Sequence, residues 1–213
     1  MKGVPLTEEL YNYITDTFIH EDELLKQIVI DTEAKNIPLI QVSPETGKLL
    51  GMFIKMIGAK HVLEIGTLTG YSTIWMARAL PDEGSVTTLE LTRAHADEAL
   101  NNYKKAGLDG KIELILGKAL DSLDTLSGRS FDLVFIDADK ENCVNYFNKV
   151  INMVRPGGLI ITDNTLRRGE VIDPNPGPGA QGIIAYNKLA ANDSRVESLL
   201  VPIDDGITLS FVK

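Results

Sequence analysis

The chain is short of the features that mark several protein classes, and each shortage excludes one. A single cysteine, Cys143, occurs in 213 residues, so no internal disulfide forms and Cys143 reads as a core residue. Three histidines, His20, His61 and His95, show no zinc-site spacing. No run approaches the roughly 18 consecutive apolar residues of a membrane span. Residues 1–17 also lack the basic start and apolar centre of a signal peptide, so a cytoplasmic location is expected. Basic residues are outnumbered: 21 Lys and Arg against 30 Asp and Glu leave a formal charge of −9. Phosphate-backbone affinity comes mainly from Lys and Arg displacing counterions, so nucleic acid is a disfavoured partner. Arg167 and Arg168 form a local exception, either a basic patch beside a site or solvated surface.

What is present, 44% hydrophobic and 24% charged residues, matches a chain with one sizeable core. We expect a single domain over 1–213, with a helical cap over 1–58 and an α/β core over 59–213. In the cap, Leu10, Tyr13, Ile14 and Phe18 recur at helical spacing, as do Leu24, Leu25, Ile28 and Val29. Ser43-Pro44-Glu45 opens a further helix, with an N-cap hydroxyl, a proline at the first helical position and an acid on the dipole. That helix runs to about Ile57. Beyond it, short apolar runs at 62–63, 86–91, 112–116, 133–136, 159–161, 199–203 and 207–212 alternate with helical patterns near 72–80, 93–106, 141–154 and 182–191. Such alternation predicts a doubly wound, mostly parallel, seven-stranded α/β sheet. Arg155-Pro156-Gly157-Gly158 ends the helix before it. Asp204-Asp205-Gly206 leaves room only for a turn, so the last two strands form an antiparallel hairpin.

In such sheets ligands bind beyond the carboxyl ends of the strands. The first strand delivers Leu63-Glu64-Ile65-Gly66-Thr67-Leu68-Thr69-Gly70-Tyr71-Ser72, a glycine turn ahead of a helix, and the second ends in Glu90, placed to accept from both ribose hydroxyls. The spacing is not the pyrophosphate-type G-x-G-x-x-G, and Glu64 would repel a phosphate. A nucleoside without phosphates follows, and S-adenosylmethionine fits, since its cationic groups welcome carboxylates. Two more strands end in acids, at Phe135-Ile136-Asp137 and Ile161-Thr162-Asp163, the latter followed by Asn164. Asp137, Asp163 and Asn164 offer hard oxygens suited to Mg²⁺, with Mn²⁺ or Ca²⁺ as substitutes. Lys140, three residues past Asp137, reaches the same pocket and accepts a proton if its pKa is depressed.

At these residues the chain resembles the metal-dependent caffeoyl-coenzyme A and catechol O-methyltransferase family. The glycine-turn segment, Phe135-Ile136-Asp137-Ala138-Asp139-Lys140 and Thr162-Asp163-Asn164-Thr165-Leu166 carry the resemblance, and Pro202-Ile203-Asp204-Asp205-Gly206-Ile207-Thr208 looks like the family's closing hairpin. The resemblance implies a Rossmann-like methyltransferase fold, a homodimer and a small phenolic substrate. It implies cofactor contacts at Val42, Glu64, Gly66, Thr67, Ser72, Glu90, Ala119 and Asp139, metal ligation by Asp137, Asp163 and Asn164, and catalysis by Lys140, as general base, with Asp137. Two departures stand out. Leu199 is apolar near where the animal catechol enzymes have a substrate-contacting glutamate, and segment 167–182 reads as a surface turn, with a substrate lid as the alternative. The reaction implied is direct displacement at the sulfonium methyl. A transfer RNA 5-hydroxyuridine methyltransferase of the same family is the nearest rival, disfavoured by acidity. A nucleotide-dependent oxidoreductase is a further one, disfavoured by the glycine spacing.

Overall fold

The computed structural model describes residues 6–213. Three helices come first, α1 (Glu8–Phe18), α2 (Glu23–Ala34) and α3 (Pro44–Met56). Their starts are fixed locally: the side chains of Thr7, Asp22 and Ser43 accept from the amides of Leu10, Leu25 and Thr46, and Pro44 sits in the first turn of α3. The chain then alternates through β1 (His61–Ile65), α4 (Tyr71–Ala79), β2 (Ser85–Glu90), α5 (Arg93–Lys105), β3 (Ile112–Leu116), α6 (Ala119–Thr125), β4 (Phe131–Ile136), α7 (Cys143–Val150), β5 (Val154–Thr162), α8 (Pro178–Asn192), β6 (Val196–Val201) and β7 (Ile207–Val212). Short 3₁₀ turns, Lys140–Asn142 and Arg167–Ile172, precede α7 and α8.

The seven strands form one sheet in the order β3-β2-β1-β4-β5-β7-β6, with β7 antiparallel to both its neighbours and the other pairings parallel. Side chains alternate between two buried layers. Val62, Leu133, Phe135, Leu159 and Ile161 face the cluster under α2 to α5. Leu63, Ile65, Val134, Ile136 and Ile160 face the cluster under α6 to α8, where Cys143 also lies. Burial on both faces is why these strands read as unbroken apolar runs rather than alternating ones. Among the described residues no helix is long and apolar enough to cross a membrane.

Several boundaries differ from expectation for identifiable reasons. Arg155-Pro156-Gly157-Gly158 does not follow a helix directly: α7 stops at Val150, and these four residues bulge out at the start of β5, since Phe131 pairs with Val154 but Leu133 with Leu159. The last helix starts at Pro178 rather than Gly182, because that proline occupies the first turn. The sixth strand lies at Val196–Val201, ahead of Pro202, and the seven-residue α6 carries too few turns to show a period. The predicted apolar face of α1 exists but covers nothing: Leu10, Tyr13, Ile14 and Phe18 remain 38 to 62% exposed.

The strand order reverses between β1 and β4, which opens a crevice at their carboxyl ends. There Gly66 (φ 97°) approaches β4 so closely that a Cβ would stand 2.1 Å from the Asp137 carbonyl oxygen. Gly66→Ala is therefore expected to lower unfolding free energy in urea by at least about 1–2 kcal/mol, and by more than Gly58→Ala, where φ is 61° but no atom lies within 4 Å. Equal losses at the two positions would show that the crevice relaxes without cost.

Candidate active site

Parallel register brings the strand ends to one level. Ile65 pairs with Ile136 and Ile136 with Thr162, so Gly66, Asp137 and Asp163 stand side by side just beyond the sheet. They border a cleft of about 960 Å³, at the upper end of the roughly 300–1,000 Å³ of small-molecule sites. Of the residues anticipated from sequence, Val42, Gly66, Thr67, Ser72, Glu90, Ala119, Asp137, Asp139, Lys140 and Asn164 line it. Glu64 and Asp163 do not: both are buried behind its wall. Leu199, 66% exposed on the edge strand β6, is also outside it.

One end of the cleft is built around two acids with different surroundings. Glu90 has its carboxylate fixed by backbone amides, Oε2 accepting from Leu68 at 3.0 Å and Oε1 from Thr92 at 2.8 Å, which ties the glycine turn to the end of β2. Its remaining acceptor capacity faces the cleft, with His95 Nδ1 3.4 Å from Oε1. Glu64 is fully enclosed. Burial pushes its carboxyl up to about 7, against the hydroxyls of Ser72, Thr73 and Thr88 that donate to it. Its place is thus beneath the turn, where it accepts from Ser72. Thr67 extends the same network, bonding Thr73 at 2.7 Å and the Tyr103 hydroxyl at 2.5 Å. An amide-anchored acid beside a glycine turn suits a ribose, and the close backbone approach at Gly66 leaves room for a nucleoside.

The other end gathers the acids of β4 and β5. Lys140 Nζ donates to Asp137 Oδ1 at 2.9 Å from a nearly enclosed position. Burial pushes its pKa down, but attraction to Asp137 outweighs that and holds the ammonium above its ordinary range. The depression that a general base requires is thus opposed by its own neighbour. Asp163 is pushed up to about 7, first by burial and then by repulsion from Asp137; Lys140 and the Asn164 amide, 2.8 Å from Oδ1, act the other way. Asn164 adopts φ 54°, a left-handed conformation that asparagine tolerates. Among the described residues no three His, Cys, Asp or Glu side chains converge as a metal cage. The set is two mutually repelling carboxylates and an amide, all hard oxygen donors, and a divalent cation fits them because its charge relieves the repulsion between the acids.

Tyr146 was not anticipated. Its hydroxyl donates to Asp139, which also accepts from Asn142 Nδ2 at 2.5 Å, so Asp139 is held as part of the wall. The pair spans the 3₁₀ turn at Lys140–Asn142, which separates Asp139 from α7.

Comparison with known proteins agrees with this geometry. A sequence model of a family described as O-methyltransferase matches residues 15–213. A catechol O-methyltransferase of Niastella koreensis is 39% identical over 97% of each chain. Caffeoyl-CoA O-methyltransferase 2 of Zea mays is 39% identical over 98% of this chain and 84% of its own. Among solved structures, the O-methyltransferase from Bacillus cereus in complex with SAH superposes with a TM-score of 0.90 at 40% identity, over 95% of this chain and 96% of the other. TomG from Streptomyces achromogenes, solved with SAM, gives 0.90 at 33% identity over 98% and 100%. Sheet order, cleft and full-length similarity coincide, and the chain belongs to the O-methyltransferase family.

Proposed function

We propose that this enzyme transfers the methyl group of S-adenosylmethionine to a hydroxyl of a small catechol-like or caffeoyl-type phenol, with a divalent cation, Mg²⁺ ahead of Mn²⁺ or Ca²⁺. The observation that carries the reading is the pair Asp137 and Asp163, two repelling carboxylates at adjacent strand ends beside the cleft. The names of the relatives supply the substrate class. The uncovered apolar face of α1 supports a homodimer.

The cosubstrate supplies an electrophilic sulfonium methyl, and a bound cation supplies Lewis acidity that lowers the pKa of a phenol from near 10. Everything else belongs to the chain. Glu90, immobilised by two amides, accepts the ribose hydroxyls, and the Gly66 to Leu68 turn admits the nucleoside to the backbone. Asp137, Asp163 and Asn164 are the residues that would hold the cation, through hard carboxylate and amide oxygens. Lys140 Nζ, 2.9 Å from Asp137, would take the acceptor's proton once a cation's charge on Asp137 weakens the attraction that keeps it an ammonium. Val42, Ala119 and Ser72 close the cleft around the cosubstrate, and alignment of acceptor and methyl donor supplies the rate.

Three outcomes check this reading. Removal of metal with chelator should abolish transfer to a vicinal diol and Mg²⁺ should restore it, while Asp163→Asn reproduces the stripped enzyme yet still binds S-adenosylmethionine in calorimetry; a full rate after bound metal is shown to be gone would overturn the metal assignment. Glu90→Ala should weaken S-adenosylmethionine binding by about 1–3 kcal/mol, since charge-assisted bonds are lost, and an unchanged affinity would remove Glu90 from the site. Lys140→Ala should lower turnover by about 10²–10⁴-fold with cosubstrate affinity retained; near-normal turnover would leave Lys140 as only the ion-pair partner of Asp137.

A further inference from the structure

Segment 167–182 brings Arg167 and Gly179 back to the cleft wall, on the side of Asn164 and Lys140. Arg167 (φ 51°), Arg168 (φ 50°) and Gly169 (φ 89°) are successively left-handed, a conformation that L side chains disfavour. It is held from outside: Thr165 and Leu166 amides donate to the carbonyls of Gly206 and Asp205 at 2.9 Å, the Arg168 amide to Asp205 Oδ1 at 2.5 Å, and Asn187 Nδ2 to the Thr165 carbonyl at 2.9 Å. The turn between β6 and β7 thus clamps the backbone that presents Arg167. Strain sustained in this way is a feature of sites where a side chain must point in one direction.

The guanidinium itself is underused. Arg78, Arg129, Arg155 and Arg195 each hold a carboxylate at 2.5–2.7 Å. Arg167 has only a marginal 3.5 Å contact to the half-exposed Glu170, and its Nε is buried with no hydrogen-bond partner among the described residues. A guanidinium carries five donors in a planar fork that matches a carboxylate, and a buried donor left unpaired is costly. It packs against Gly179 in the first turn of α8, the positive end of that helix, so no neighbouring dipole compensates it. Elsewhere the chain is strongly acidic, with a charge of −9, and Lys140 is committed to Asp137. Lys118 also lines the cleft, but beside Ala119 at the cosubstrate end, so an anionic acceptor next to Asn164 would find its complementary charge at Arg167.

We infer that Arg167 is a specificity-determining residue that receives the carboxylate of the methyl acceptor, which makes the preferred substrate an ortho-dihydroxy aromatic acid rather than a neutral catechol. This rests on the proposed phenol methylation and narrows its substrate class. The fork binds the carboxylate away from the reacting hydroxyls, so its contribution falls on acceptor binding more than on turnover.

The test compares 3,4-dihydroxybenzoate with its methyl ester, which has the same ring but no charge, in wild type, Arg167→Met and Arg167→Lys, all with Mg²⁺ present. Wild type is expected to prefer the acid. Arg167→Met should lower kcat/KM for the acid about 10–100-fold more than for the ester, chiefly through KM, with Arg167→Lys recovering part of the difference. Calorimetric titration of acid and ester into the S-adenosylhomocysteine-loaded protein should show the same selective loss. Equal effects on acid and ester, no effect, or a wild-type preference for the ester would overturn the inference. If no catechol is methylated, the phenol reading fails, and the calorimetric comparison still decides on its own whether Arg167 holds a carboxylate.

Discussion

Two backbone hydrogen bonds, from the Asp137 amide to Ile65 O at 2.9 Å and from the Asp163 amide to Ile136 O at 3.1 Å, keep the ends of β1, β4 and β5 level. Gly66, Asp137 and Asp163 take their common level from that register. In a parallel ladder a slip of one residue would turn Asp137 to the opposite face of the sheet and replace it with an apolar neighbour. The register is secured in turn by the two buried layers, since Leu133, Phe135, Val134 and Ile136 each have only one side on which they are enclosed. Core packing and site geometry are therefore one constraint: the apolar residues set the height at which the acids emerge.

The acids that emerge are distinguished by what surrounds them rather than by their type. Glu64 is enclosed with three hydroxyls, and burial brings it near neutrality as a strut beneath the glycine turn. Glu90 is held open to the cleft by two amides. Asp137 is paired with Lys140, and Asp163, behind it, bears the repulsion. Four strand-associated carboxylates thus occupy four electrostatic environments, two on the cleft and two buried behind its wall. The turn between β6 and β7 adds a further element, because Asp205 and Gly206 anchor the segment that carries Arg167.

Much of this was legible in the chain itself. The run of seven short apolar segments, the glycine turn ending β1, and the acids ending β2, β4 and β5 are local patterns, and local patterns survive in sequence because propensity and burial act on neighbouring residues. The hairpin at Asp204-Asp205-Gly206 and the cap of α3 at Ser43-Pro44 belong to the same group. Where two readings competed for one residue, the local pattern was insufficient: Val154 extended a helical face in sequence, yet it pairs with Phe131 in the sheet.

Tertiary structure alone decided which of the anticipated residues see the cleft. Glu64 and Ser72 are eight positions apart and hydrogen-bonded to each other, yet Glu64 lies behind the wall and Ser72 on it. Tyr146 meets Asp139 across the 3₁₀ turn that precedes α7, a contact no local pattern announces. Arg167 was visible as part of a basic pair, whereas its unpartnered Nε shows only in space and its clamped backbone depends on Asp205 and Gly206 at the last hairpin. Sequence determines which groups stand at the strand ends, because strand and turn are short-range. Desolvation and Coulomb interaction depend on distances through space, so the protonation and orientation of those groups were settled only when the chain closed around them.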